Sequence, residues 1–200
     1  MGTRIPLNAD QVPDVSNIMG TYFEATDEDV AAGLGWYAMA HQVATRIADG
    51  DTERGAGVIA ALSPQKAWNE NVAIAERAFA EGHASKQVSD ACNKADHILW
   101  GSHSPLDILG GNKVRNFYRA IMGDEDAVVV DRHAFDVALG RIGDDASRRI
   151  LSRVGVYDTF AQAYRIAAQR LSDAFGETIL PSQVQAVTWL AWRRSKGIVD

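Results

Sequence analysis

Between Tyr157 and Phe175 the apolar residues Phe160, Tyr164, Ala167 and Leu171 fall at i, i+4, i+7 and i+11. That spacing lines one face of an α-helix, whereas a half-buried strand would alternate every second residue. Gly176 follows as a natural left-handed stop. The helical pattern returns over 65–81 with Trp68, Val72, Ala75 and Phe79, and over 26–48 with Leu34, Tyr37, Val43 and Ile47. It returns again from Leu180-Pro181-Ser182-Gln183 onward with Val184, Val187, Leu190 and Ala191, with Trp189 or Trp192 beside them. No segment alternates as a strand does. The expected fold class is all-α, a helical bundle that forms one compact unit or two packed lobes.

Local signals mark where these helices begin and end. Thr26-Asp27-Glu28-Asp29 fits a capping box, and Asp49-Gly50-Asp51 stops the helix it starts. Inside that helix Gly33 and Gly35 each cost about 1 kcal/mol relative to alanine unless a second helix packs closely there. His41, on the same helix, reads as a surface or hydrogen-bonded polar residue rather than a ligand. For 57–62 strand and buried helix compete, and the abundance of alanine favours helix. Ser63-Pro64 ends it, and Ser63 then serves as N-cap of a helix over 65–81, with Pro64 in its first turn. Residues 1–25 read as a lead-in, irregular over its first part, which carries Pro6 and Pro13. Residues 86–99 read as a short helix, 101–105 as a loop, and 144–155 as a helix starting at Asp144.

Composition narrows the class of protein. The 200 residues are 46% hydrophobic and 23% charged, a balance suited to a packed core rather than to disorder. No apolar run has the length of a membrane span, and the N-terminus lacks a basic stretch followed by an apolar one, so the expected compartment is the cytoplasm. A single cysteine, Cys92, excludes an internal disulfide and a cysteine-built zinc site. His83, His97 and His103 lack the short helical spacing of a zinc motif, so neither metal nor cofactor is expected. The net charge of −6 is uneven: seven Lys/Arg face fourteen Asp/Glu in residues 1–100, against thirteen and twelve in residues 101–200. A local basic strip in the second half is therefore compatible with a nucleic-acid partner. Arg193, Arg194 and Lys196 are accounted for as cations at a helix C-terminus, with DNA contact as the rival reading.

The chemistry gathers in 108–141, ILGGNKVRNFYRAIMGDEDAVVVDRHAFDVALGR. Gly110-Gly111 permits tight turning and close backbone approach, and it opens a helix whose first N–H groups suit a phosphate. Lys113 stands just inside that helix. After a break at Met122-Gly123-Asp124, the β-branched run Val128-Val129-Val130 leads to Asp131 from a buried side. Asp131 is either the cap of the next helix or a carboxylate placed for chemistry, and the two roles are compatible. His133 and Phe135 read as packing residues.

The GG-x-K turn, the following helix, and an aspartate in VD-x-H-x-F-x-V at 131 − 113 = 18 residues beyond the lysine resemble the helix-hairpin-helix DNA glycosylase superfamily, its endonuclease III branch most of all. Ala61-Leu62-Ser63-Pro64-Gln65 resembles the family's LS-x-Q segment. The likeness covers residues 57–141, with 142–200 expected to complete the fold. It implies that Gly110, Gly111, Asn112 and Arg115 lie against DNA, that Gln65 helps fill the gap left by an extruded base, that Lys113 attacks the sugar and that Asp131 is the essential carboxylate. Two departures stand out. Leu109 takes the position of the hairpin's first glycine, and Cys92 alone cannot supply the four cysteines of the iron–sulfur branch.

The resemblance implies an enzyme that removes a damaged or modified base from DNA, with Schiff-base lyase activity as an addition Lys113 would allow. Such an enzyme extrudes its nucleotide, which costs a few kcal/mol. Departure of the base builds positive charge on the sugar, which a carboxylate stabilises. From its residues alone, Lys113 reads first as a phosphate contact or a surface residue at a helix start, ahead of a nucleophile. Two other readings stay open: an enzyme of the same fold, of the kind found in phages, that modifies hypermodified thymine in DNA, and a non-catalytic helical module that binds DNA or protein.

Overall fold

The computed structural model describes residues 7–101 and 103–198, and among them there are helices, turns and no strand, so the fold is all-α. In chain order the helices are α1 (Val15–Phe23), α2 (Asp27–Ile47), α3 (Thr52–Leu62), α4 (Trp68–Glu81), α5 (Ser89–Leu99), α6 (Pro105–Ile108), α7 (Asn112–Ile121), α8 (Arg132–Leu139), α9 (Asp145–Arg148), α10 (Val156–Phe175) and α11 (Pro181–Ser195). The chain divides into two compact units. One takes in the residues up to Trp36 and those from Glu125 onward, and the other is Tyr37–Asp124.

In the first unit α10 buries the stripe its sequence announces. Phe160, Tyr164, Ala167 and Leu171 are all shielded from solvent, and Gly176 closes the helix at φ 73°. Phe160 stacks on Phe135 of α8, ring centroids 4.8 Å apart, and Ile18, Val128, Val130, Val184 and Val187 complete the same core. Burying each large side chain contributes about 1.5–3 kcal/mol. Gly33, at the start of α2, is required by packing: a Cβ there would lie 2.5 Å from Val187 Cγ2 on α11, whereas Gly35 meets nothing within 4 Å. The capping box forms as read, with Asp29 N–H donating to Thr26 Oγ1 at 3.2 Å and Thr26 N–H to Asp29 Oδ2 at 3.0 Å. Buried Asp136 is held by Arg148 Nη2 at 2.6 Å and by the Gly143 N–H at 3.0 Å.

In the second unit α3 is the central element, buried without a break from Gly55 to Leu62. The helix alternative for 57–62 is therefore correct. Its small residues let neighbours approach: a Cβ on Gly55 would overlap the Ala44 carbonyl, and one on Gly57 would lie 2.8 Å from Ile98 Cγ2 and 2.9 Å from Pro105. Around it Ala40, Ala44, Ile74, Ala75, Ala95, Ile98, Tyr118 and Ile121 fill the core. His41 Nδ1 meets the Ile121 carbonyl at 2.9 Å, a satisfied polar residue.

Several local expectations need correction. The lead-in contains a helix, α1, started by Asp14, whose side chain accepts from the Ser16 N–H at 2.8 Å. Residues 1–6 of that lead-in, Pro6 among them, and Ser102 of the expected loop lie outside the described residues. The helix expected over 65–81 begins at Trp68. Ser63 caps the end of α3 instead of the start of α4, because Gln65 adopts φ 60° and breaks the path between them. The buried face of α4 is Asn71, Ile74, Ala75 and Ala78, rotated from the stripe of Trp68, Val72 and Phe79. The helix expected over 144–155 is the single turn α9 followed by a 3₁₀ turn, Arg149–Ser152.

Candidate functional site

Asp131 ends the apolar run that precedes α8. Ala127, Val128, Val129 and Val130 are all buried, and the chain then turns outward at Asp131, which is half-buried. Among the described residues the segment has no strand partner to take its backbone groups. Tyr157 supplies one instead, its hydroxyl accepting from the Val130 N–H at 2.9 Å and donating to the Val128 carbonyl at 2.9 Å. Tyr164 donates to the Ala134 carbonyl at 2.9 Å, fixing the first turn of α8 from below. Burial pushes the Tyr164 phenol far above its ordinary range, so it acts as a donor and not as an acid.

The Asp131 carboxylate receives three N–H donors. Oδ1 accepts from the backbone N–H groups of His133 at 2.9 Å and Ala134 at 2.8 Å, which caps α8. Oδ2 accepts from the indole Nε1 of Trp189, on α11, at 3.0 Å. The Trp189 ring also carries the Arg193 guanidinium, 4.2 Å from its centroid, and meets the His133 ring edge-on at 6.0 Å and 80°. His133 is buried as expected. Arg132 Nε donates to its Nε2 at 3.3 Å, which puts the neutral ring's proton on Nδ1, and Nδ1 has no hydrogen-bond partner among the described residues. Burial lowers the His133 imidazole below its usual value. Asp131 pulls the other way, while Arg132 and Arg193 add to the lowering. Trp189, Arg193 and Tyr157 thus join Asp131 in a way that no local spacing displays.

The remaining predicted residues belong to the second unit. Gly110 and Gly111 are exposed between α6 and α7, with Gly111 at φ 77° and no side chain capping α7. Among the described residues no side chain accepts from the first N–H groups of α7, an arrangement suited to a phosphate oxygen. Asn112 and Lys113 are exposed in that first turn, and the Asn112 carbonyl accepts from Asn116 Nδ2 at 2.9 Å. Leu109 is buried, so it anchors the hairpin rather than forming its tip. Arg115 Nη1 donates to the Leu106 carbonyl at 2.6 Å and to the Leu109 carbonyl at 3.0 Å, which binds the two helices of the hairpin together. Gln65 is exposed at the turn between α3 and α4. That turn is stapled by Gln87 Nε2, which donates to the Leu62 carbonyl at 3.1 Å and the Pro64 carbonyl at 2.9 Å. Among the described residues, no three His, Cys, Asp or Glu side chains cluster in a way that could hold a metal ion. No helix among them is long and apolar enough to cross a membrane.

These elements define an all-α protein with a capped, half-buried carboxylate in one unit and a glycine hairpin with an open helix N-terminus in the other. The chain belongs to a family of unknown function, DUF7178, whose model matches residues 6–196. No curated protein and no solved structure matches it.

Proposed function

We propose that this protein is a DNA glycosylase that extrudes its target base and uses the Asp131 carboxylate at the reacting sugar. The observation that carries the reading is the setting of Asp131: a carboxylate gripped by three N–H donors at the end of a buried segment, yet still half-exposed. A purely capping aspartate needs only one oxygen so held. The exposed Gly110-Gly111 hairpin and the uncapped start of α7 support phosphate contact, with Asn112 and Lys113 in its first turn. Gln65, held exposed at φ 60° on a stapled turn, supports a side chain offered to a partner.

In the hydrolytic reaction the bond between base and C1′ breaks, its electron pair leaves with the base, and water adds at C1′. Asp131 stabilises the positive charge that develops on the sugar and takes the proton of the attacking water. If the neutral Lys113 amine adds at C1′ in place of water and loses a proton, the C1′–O4′ bond then opens, its electron pair leaving with O4′, and the product is a Schiff base that borohydride reduces to a permanent link.

The test is to incubate the full chain with duplexes carrying damaged or modified pyrimidines and to assay abasic sites, with borohydride in a parallel set. Abasic sites support the glycosylase reading, and a covalent adduct lost in Lys113→Ala adds the lyase step. Intact glycosidic bonds across the panel would overturn it. A base changed in mass on an intact sugar would point to the base-modifying reaction, and binding alone to a non-catalytic module.

A further inference from the structure

We infer that Trp189 is the positioning residue of the Asp131 carboxylate, and that it leaves Oδ2 as the oxygen presented to the reacting sugar. The inference rests on the glycosylase reading. Its first support is a count of lone pairs. A carboxylate oxygen accepts about two hydrogen bonds. Oδ1 already takes two, from His133 N–H and Ala134 N–H, so it has nothing left to offer a substrate. Oδ2 takes one, from Trp189 Nε1 at 3.0 Å, and keeps one direction open.

The second support is that capping does not call for this bond. The two backbone donors on Oδ1 satisfy the start of α8, and a phenylalanine at 189 would still set an aromatic ring beside Arg193 and His133. What the indole adds is a single N–H aimed at the one oxygen that α8 does not use. An indole donates only, and it neither gives up nor takes a proton near neutral pH. It can therefore fix the direction of the carboxylate without competing for the proton that Asp131 is to handle, which a histidine in that place would do.

The third support is that the indole is itself held. The Arg193 guanidinium lies 4.2 Å from the ring centroid, and the His133 ring meets it edge-on at 80°. His133 and Arg193 are both buried, so the contacts are made away from water, where stacking of a cation on an aromatic ring is strongest. Asp131, Trp189, Arg193 and His133 form a closed set in which the backbone of His133 grips one oxygen and its ring braces the residue gripping the other.

The experiment has a spectroscopic and a kinetic arm. In a ¹⁵N-labelled full chain, the indole N–H region contains signals from the five tryptophans. Trp189→Phe removes one and identifies it, and Asp131→Asn, which turns an acceptor into an amide, is expected to shift that same signal upfield more than any other. A Trp189 signal indifferent to Asp131→Asn overturns the inference. On a duplex that the wild type processes, Trp189→Phe is expected to lower kcat about tenfold or more, the size of a hydrogen bond to a charged group, with KM within about twofold. An unchanged kcat in a folded Trp189→Phe protein also overturns it. If Trp189→Phe fails to fold, the Asp131→Asn spectrum decides alone, one indole signal moving or none. A shift in a wild type that forms no abasic site on any duplex would overturn the glycosylase reading while supporting the hydrogen bond.

Discussion

Replacing Tyr157 by phenylalanine removes one oxygen atom and leaves two backbone groups without partners. The hydroxyl donates to the Val128 carbonyl and accepts from the Val130 N–H, both at 2.9 Å. Tyr157, Val128 and Val130 are 3%, 0% and 1% exposed, so water has no route to replace it. A stranded buried donor or acceptor costs about 1–3 kcal/mol, and a carbonyl, with two lone pairs, falls at the lower end. The sum is about 2–4 kcal/mol. For a chain of this size each kcal/mol moves the midpoint by roughly 2–4 °C, so Tm should fall by roughly 5–15 °C. Urea unfolding followed by circular dichroism should show a lower midpoint at an unchanged slope. Hydrogen exchange should show the Val130 amide losing protection before its neighbours. A stability loss below about 0.5 kcal/mol, with Val130 still protected, would refute the claim that Tyr157 holds the segment leading into Asp131.

Four further substitutions probe other parts of the molecule. Gly55→Ala places a methyl group against the Ala44 carbonyl, a backbone atom that cannot step aside, and should cost about 1–3 kcal/mol or more by urea unfolding, whereas Gly35→Ala, which meets nothing, should not destabilise. Arg148→Ala leaves buried Asp136 with only its Gly143 N–H contact, and because Arg148 itself is partly exposed the loss should be about 2–4 kcal/mol, read as a fall in Tm. His133 sets a pH dependence. Its imidazole titrates lower in the folded protein than its ordinary value of about 6.5, so the folded state prefers it neutral. The stability this contributes is fully present above pH about 6.5 and is lost as the pH falls through that value toward the folded one, at no more than about 1.4 kcal/mol per pH unit for one proton. His133→Phe should flatten the fall in urea midpoint between pH of about 7.5 and about 5.5, and an unaltered slope would refute it.

What the sequence discloses is whatever is local. The stripe on α10 has its stop at Gly176, the box at Thr26 and Asp29 forms, and Asp131 sits where the Val128–Val130 run meets a helix, because each depends on residues within a few positions of one another. The errors have equally local causes. α1 is hard to read because Ser16, Asn17, Gly20 and Thr21 are weak helix formers, and its helix is sustained by burial of Ile18 and Tyr22. The start of α4 is misplaced by sequence reasoning because a positive φ at a glutamine, Gln65, carries no signal of its own. What stays hidden is tertiary. The Trp189 indole reaches Asp131 across 58 positions, Gln87 staples a turn 23 residues before it, and Arg115, a candidate DNA contact, spends its guanidinium on the Leu106 and Leu109 carbonyls. Gly33 and Gly35 look alike on paper, and only the approach of Val187 separates them.

The most direct measurement is single-turnover base release by the wild type and by Asp131→Asn on the same modified duplex, with DNA affinity measured alongside. The wild type is expected to form abasic sites and Asp131→Asn to form none, with affinity largely unchanged. An Asp131→Asn protein that releases the base at the wild-type rate would contradict the assignment of Asp131.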